Sequence, residues 1–181
     1  QNQVSLIASR VFGLSRQRES VVAWLAFSLA LVFLSQFFFW DLSNYPVDVH
    51  DEQTFADNKA ISDDFGFFFS DSKLLQSGRP TAELFKWVVS LVGSNTPSFF
   101  HKMSLIVHSA CSFLVAILLT RTGISRSISI TTAFLFFANV AHFQVVYHIS
   151  AIDYSLAFIL SLNAFLAYIS IPERGWKFVA M

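Results

Sequence analysis

The feature that most constrains this chain is a run of twenty residues without a charged side chain, from Val21 to Trp40. A helix of that length is roughly 30 Å long, which matches the hydrocarbon core of a bilayer. The arginine-containing segment before the run resembles the start of a signal peptide. However, the apolar part of a cleavable signal is only roughly 7–15 residues long and is followed by small residues, whereas this run ends in Phe and Trp. We therefore expect an uncleaved first membrane span.

Three more apolar segments predict an all-α membrane protein with about four transmembrane helices. The composition agrees, because 54% of the 181 residues are hydrophobic and 13% are charged, whereas about 25% of a typical soluble domain is charged. The single cysteine, Cys111, excludes a disulfide within the chain. The predicted spans are residues 21–40, 99–120, 128–147 and 149–171.

The distribution of charge predicts how these spans are oriented. Lys and Arg collect in cytoplasmic segments, and here basic residues predominate in 1–20, 121–127 and 172–181. Segment 41–98 instead carries nine acidic and four basic residues. We therefore expect both tails and the 121–127 loop to be cytoplasmic, and the 41–98 loop to be periplasmic, extracellular or lumenal. The formal net charge of zero implies no basic surface for a nucleic-acid partner. Because the chain is expected to span a membrane, membrane lipids are its first expected partner.

The long external loop is expected to carry structure or function, because loops beyond roughly 15 residues rarely serve only as connectors. Its first half, Ser43–Asp64, is acidic and shows no clear period. The aromatic run that follows belongs either at the membrane interface or in a buried packing site. In 81–92 apolar residues recur at helical spacing, with Glu83 and Lys86 away from most of them. This pattern predicts an amphipathic helix lying on the outer membrane surface, with Trp87 near the headgroups.

The order of these features resembles the amino-terminal part of polytopic GT-C glycosyltransferases, the group related to protein O-mannosyltransferases. The resemblance extends from about Val21 to Tyr168 and is one of order and spacing. The features that carry it are an acidic pair (Asp63-Asp64), Gly78-Arg79-Pro80 before the amphipathic helix, the entry Asn95-x-Pro97-x-x-x-His101, a second span with His108, and the polar stretch Ala141–Tyr154.

The resemblance implies that sugar is transferred from a polyprenyl-phosphate donor at the external membrane face. In that family an Asp of the first external loop acts as general base or orients the acceptor, and the matching positions here are Asp63 and Asp64. Inverting transfer needs a carboxylate to deprotonate the incoming hydroxyl while phosphate leaves from the opposite face. Two adjacent carboxylates can also hold a divalent cation. The alternatives are the Asp51-Glu52 pair as the functional acids, or a loop that is acidic only for solubility.

Several polar side chains are further candidates for the site. Arg79 is expected to bind the donor phosphate through its planar fork, or else to pair with Glu83 at a turn. His101 and His108 are seven residues apart and share a helix face, where they bind the donor phosphate or hydrogen-bond to another helix. Polar residues at membrane depth are expected to line a cavity rather than to face lipid, and they are His142, Gln144, His148 and Asp153.

The sequence leaves two other classes of function open. GT-C enzymes have many more spans, so a transferase is expected if the chain is part of a longer protein. If the chain ends at Met181, we expect a non-catalytic accessory or scaffold subunit, with a truncated GT-C-like fold and Phe-rich faces against other membrane subunits. A small transporter, with a proton path through the histidines and Asp153, is the third class, but no inverted repeat is visible.

Overall fold

The computed structural model of the chain describes residues 22–35, 37–47, 49–70, 79–93, 95–139, 141 and 143–170. All regular structure within these ranges is helical, and they contain no strand. The prediction of an all-α protein is therefore confirmed.

The helices within the described ranges are named in chain order. The α-helices are α1 (Val22–Ser35), α2 (Val49–Asp63), α3 (Pro80–Val92), α4 (Pro97–Arg121), α5 (Arg126–Phe137), α6 (Phe143–Tyr147) and α7 (Ile152–Ser170). Short 3-10 helices are found at Leu42–Asn44, Phe65–Phe69 and Ile149–Ala151.

Two helical segments are long and apolar enough to cross a membrane, α4 and Ile149–Ser170, which is α7 with the turn before it. Helices α1 and α5 are apolar but shorter within the described residues. Length and composition therefore agree with a membrane protein.

Helix α1 belongs to a separate compact unit, which ends at Phe38. Its serine hydroxyls bond to backbone carbonyls of the same helix, Ser28 to Trp24 at 3.0 Å and Ser35 to Val32 at 2.6 Å. Such internal bonds satisfy polar side chains in an apolar helix, which is what a lipid environment requires.

The second unit begins at Phe39 and is built around α4. Proline at the first position starts α4, and Gly123, with φ of 91°, adopts the left-handed conformation that ends a helix and reverses the chain. Side chains of α4 bond to the backbones of both neighbouring helices: Ser112 Oγ donates to Ala133 O of α5 at 2.6 Å, and Cys111 Sγ lies 3.5 Å from Ser155 O of α7. Such bonds fix neighbouring apolar helices to each other.

The segment predicted as the third span, 128–147, is not one continuous helix. Helix α5 ends at Phe137, and α6 begins at Phe143. Asn139 Oδ1 accepts the backbone N–H of Ala141 at 3.0 Å. An Asn side chain that takes a backbone donor in this way competes with helix continuation, which explains why the helix is interrupted.

Helices α2 and α3, which lie in the predicted external loop, pack against the amino-terminal end of α4. The shared core is formed by Phe100 of α4, Val89 of α3 and Ile149 of the turn before α7, with partly buried Phe55, Phe85, Phe99 and Met103 around them. This core brings α2, α3 and the start of α7 together, and a cavity lies among them.

Candidate functional site

The cavity among α2, α3 and the start of α7 has a volume of about 470 Å³, within the roughly 300–1,000 Å³ typical of small-molecule sites. We call it the polar cavity. Its lining is rich in charged and hydrogen-bonding side chains and comprises His50, Gln53, Thr54, Asp57, Arg79, Glu83, Lys86, Ser150, Ala151, Asp153 and Tyr154.

Helix α2 contributes two polar faces, one lining the cavity and one buried. Toward the cavity, Gln53 Nε2 donates to Asp57 Oδ1 at 3.0 Å. On the buried face, Asp51 Oδ1 accepts the backbone N–H of Ser150 at 2.7 Å, and Asn58 Nδ2 donates to Asn95 Oδ1 at 3.3 Å. Polar side chains of α2 therefore attach this helix to the turn before α7 and to the start of α4.

The buried face of α2 was missed in the sequence, where the segment showed no period. Its members follow the 3–4–3 spacing of one helix face, namely Asp51, Thr54, Asn58 and Ile61. Because three of the four are polar, a search for apolar periodicity does not find them. The spacing of polar residues was the signal that could have found this helix.

Helix α3 places a buried ion pair in the cavity wall. Lys86 Nζ lies 2.9 Å from Glu83 Oε1, and both side chains are less than one-tenth exposed. The sequence placed these two residues away from the apolar face of the helix, and in the structure they point into the protein. The alternative partner proposed for Arg79, Glu83, therefore pairs with Lys86.

Arg79 precedes α3 and forms an ion pair with Asp153 at the start of α7. The guanidinium carbon also lies 5.4 Å from the ring centroid of Tyr154, in a cation–π contact. The side chain of Arg79 is 52% exposed, whereas that of Asp153 is 8% exposed. The hydrogen bond that Arg79 donates to Asp153, followed by the charge of that carboxylate, raises the pKa of Arg79 further above its ordinary value, so the guanidinium stays protonated.

A second cavity adjoins the first at this ion pair. It is an apolar groove of about 420 Å³ between the first residues of α3 and the first turns of α7, where Leu156, Ala157 and Leu160 form its wall. Arg79, Asp153 and Tyr154 line both the polar cavity and the apolar groove. The guanidinium of Arg79 therefore lies at the junction between the polar cavity and the apolar groove.

The acidic pair that the resemblance placed in the site lies elsewhere. Asp63 and Asp64 are exposed at the end of α2 and do not line the polar cavity. Asp64 Oδ1 accepts the backbone N–H of Gly66 at 2.8 Å, which caps the 3-10 helix Phe65–Phe69. In the structure Asp64 thus has a local structural role.

The three residues predicted to bind the donor phosphate are not brought together. Arg79 lines the polar cavity, whereas His101 is fully buried with its ring edge-on to Tyr45. His108 Nε2 lies 3.1 Å from the carbonyl oxygen of Phe137, and its ring lines a separate cavity of about 200 Å³. For His108, the structure has the interhelical hydrogen bond that the sequence offered as the alternative.

The residues predicted to line a cavity also have different environments. Asp153 lines both the polar cavity and the apolar groove. His148 is half-buried beside the Tyr45 ring, with 6.2 Å between the ring centroids, and Gln144 is exposed. His142 lies outside the described residues. Within the part of the chain that the structure describes, no group of three or more His, Cys, Asp or Glu is arranged to hold a metal ion.

Comparison of the chain with protein-family models, with curated proteins and with solved structures finds no match. The function is therefore inferred from the geometry of the polar cavity and the apolar groove.

Proposed function

We propose that this chain binds a polyprenyl-phosphate-linked sugar at the external membrane face and takes part in transferring the sugar, as GT-C glycosyltransferases do. The observation that supports the proposal is the junction at Arg79 between the polar cavity and the apolar groove. A lipid-linked sugar has matching chemical parts in the same order, namely a hydroxyl-rich ring, an anionic phosphodiester and an apolar chain.

Each part of the donor has a matching surface. The apolar chain lies along Leu156, Ala157 and Leu160, and burial of apolar surface stabilises it there by about 25 cal/mol per Å². The phosphate binds Arg79, whose side chain is 52% exposed and whose planar fork of N–H donors suits phosphate oxygens. The sugar then lies in the polar cavity, among the side chains of α2 and α3.

Among the carboxylates that line the polar cavity, we assign the general base to Asp57. Glu83 and Asp153 are buried, at 7% and 8% exposure, whereas Asp57 is only partly buried and is accessible to an acceptor hydroxyl in the cavity. Its Oδ1 accepts a hydrogen bond from the amide of Gln53, which orients the carboxylate. Asp57 takes the proton of the acceptor hydroxyl, and the acceptor oxygen bonds to the anomeric carbon. The bond between that carbon and the phosphate oxygen breaks, and Arg79 offsets the charge on the departing lipid phosphate.

The experiment that tests this proposal fills the apolar groove. In the variant Ala157→Trp we expect the affinity for polyprenyl phosphate to fall at least tenfold, because the indole occupies the path of the apolar chain. The matched control is Ala164→Trp, an exposed position on the same helix that does not line the groove. Binding of radiolabelled polyprenyl phosphate to the full chain in nanodiscs measures both variants. Equal affinity in the wild type and in both variants would reject the proposed site.

The proposed topology has four spans, at residues 21–40, 99–120, 128–147 and 149–171, of which the third is interrupted between α5 and α6, and both termini are cytoplasmic. Two observations support it. Helix α4 packs against α2 and α3 near its amino-terminal end and has Arg121 at the other end, and its 25 residues give a length of about 37 Å. The polar cavity would then lie at the external ends of α4 and α7.

Labelling of single cysteines tests this orientation. In a Cys111→Ser background, we expect Lys59→Cys on α2 to react with a membrane-impermeant maleimide in intact cells. Arg126→Cys, at the start of α5, should react only after the membrane is permeabilised. Both positions are exposed, so they form a matched pair. Reaction of both cysteines in intact cells would contradict the assignment of α4 as a span.

A further inference from the structure

Helix α3 has an inverted distribution of polarity. Its charged pair, Glu83 and Lys86, is buried at 7% and 5% exposure. The exposed face is apolar, with Leu84 at 39% exposure rising to Val92 at 79%, and it also contains Val88 and Leu91. A helix on the surface of a soluble protein turns its polar face to water. The exposed face of α3 is therefore fitted to an apolar environment.

The 3-10 helix Phe65–Phe69 extends this face. Phe65 is 47% exposed and Phe69 is 62% exposed, and the ring of Phe65 lies 5.2 Å from the ring of Trp87 on α3. The indole Nε1 of Trp87 donates to Ser62 Oγ at 3.1 Å. The turn and the helix thus form one uncharged surface, made of Phe65, Phe69, Leu84, Val88, Leu91 and Val92, which we call the apolar surface.

The position of α3 along α7 indicates what covers the apolar surface. Pro80, Thr81 and Ala82 begin α3, and they line one groove with Leu156, Ala157 and Leu160 of α7. Leu160 lies eight residues beyond the start of α7, roughly 12 Å along its axis. Because α7 belongs to a segment of 22 residues able to cross a membrane, of which Leu160 is the twelfth, α3 begins beside the first half of that segment and would lie at the depth of the leaflet on that side.

We propose that the apolar surface docks into the outer leaflet of the bilayer that α7 crosses, at the boundary between headgroups and acyl chains. Aromatic and aliphatic side chains without charge suit that boundary, and Trp87 is a residue type enriched there. The opposite face of α3 supplies Glu83 and Lys86 to the polar cavity, so the bilayer supports one wall of that cavity. This inference holds whatever the cavity binds.

Fluorescence of Trp87 in vesicles tests the docking. The full chain with Trp87 as its single tryptophan (Trp24, Trp40 and Trp176 replaced by Phe) is reconstituted into phosphatidylcholine vesicles. The vesicles contain phosphatidylcholine brominated either near the headgroup end or near the middle of the acyl chain. We expect at least twofold quenching by the shallow bromines and weaker quenching by the deep ones. Replacing both Val88 and Leu91 with Asp should reduce the quenching at least twofold, whereas Lys59→Ser on α2 should leave it unchanged.

Two results would overturn the inference. Quenching of Trp87 by aqueous iodide but by neither brominated lipid would place the apolar surface in water. Protection from lipids and iodide alike, lost when a co-purifying protein is removed, would make the surface a protein contact. If the variant with a single tryptophan does not fold, Phe69→Cys in the Cys111→Ser background, labelled with bimane, reports on the same surface with the same quenchers.

Discussion

In the variant Asp57→Asn we expect the release of polyprenyl phosphate from a polyprenyl-phosphate hexose to slow by about 10²–10⁴-fold, the usual contribution of a positioned general base. Asparagine has nearly the shape of aspartate but cannot take the proton of the acceptor hydroxyl. Affinity for the donor should change much less than the rate, because asparagine keeps the size of aspartate and an oxygen that accepts hydrogen bonds, and because Arg79 rather than Asp57 binds the phosphate. The measurement is single-turnover release of lipid phosphate by the full-length protein in its membranes, over a panel of hexose donors.

The matched controls for this prediction are other acidic residues of the same loop. Asp63→Asn and Asp64→Asn should release lipid phosphate at nearly the wild-type rate, since both side chains are exposed away from the polar cavity. Asparagine at position 64 can still accept the N–H of Gly66 and so keeps the cap. If Asp64→Asn abolishes release and Asp57→Asn does not, the base lies where the resemblance placed it, and our assignment is wrong.

Asp51 needs a separate comparison, because it is buried and accepts a hydrogen bond from the backbone N–H of Ser150, which lines the cavity. Asp51→Asn retains an oxygen that can accept this bond, so a modest loss of release without loss of folded protein indicates a structural role. A loss as large as that of Asp57→Asn, with normal yield and donor binding, would move the base to Asp51.

The elements that were predictable from the sequence are those whose apolar residues dominate. The apolar runs at α4 and α7 indicated helices long enough to cross a membrane, and α3 followed from apolar residues at helical spacing. Helix α2 was not predictable in that way, because its buried face is polar and is attached by hydrogen bonds to Ser150 and Asn95. Hydropathy measures transfer from water, and it cannot register burial that depends on a partner distant in the chain.

The candidate site was also only partly predictable from the sequence. Arg79 and Asp153 were each singled out by residue type and position, but their pairing depends on tertiary packing that brings together residues 74 positions apart. The nine acidic residues of the external loop are all Asp or Glu, so residue type alone does not distinguish them. Their environments differ only once α2 has formed and one of its faces points to the cavity. Asp57 was therefore not distinguishable from Asp63 and Asp64 before the structure.

The second large effect is expected at the junction of the two cavities. In Arg79→Ala the affinity for polyprenyl phosphate should fall by about 10- to 100-fold, because hydrogen bonds to charged groups contribute about 1.5–3 kcal/mol. In Arg79→Lys the loss should be smaller, since lysine keeps the charge but lacks the planar fork. Equilibrium binding in nanodiscs at two salt concentrations measures these changes, and the dependence on salt should be weaker in Arg79→Ala than in the wild type.

Polyprenol, which has the same apolar chain without the phosphate, separates loss of phosphate contacts from loss of the fold. Arg79→Ala should bind polyprenol as the wild type does, whereas Ala157→Trp should bind neither ligand well. Because Arg79→Ala also leaves the carboxylate of Asp153 without its ion-pair partner, Arg79→Ala with Asp153→Asn serves as a second variant that avoids a buried unpaired charge. If this double variant keeps wild-type affinity for polyprenyl phosphate, Arg79 does not bind the phosphate, and the junction loses its proposed role. If the double variant binds polyprenyl phosphate and polyprenol with similar affinity, Arg79 is the residue that selects a lipid phosphate over a neutral lipid.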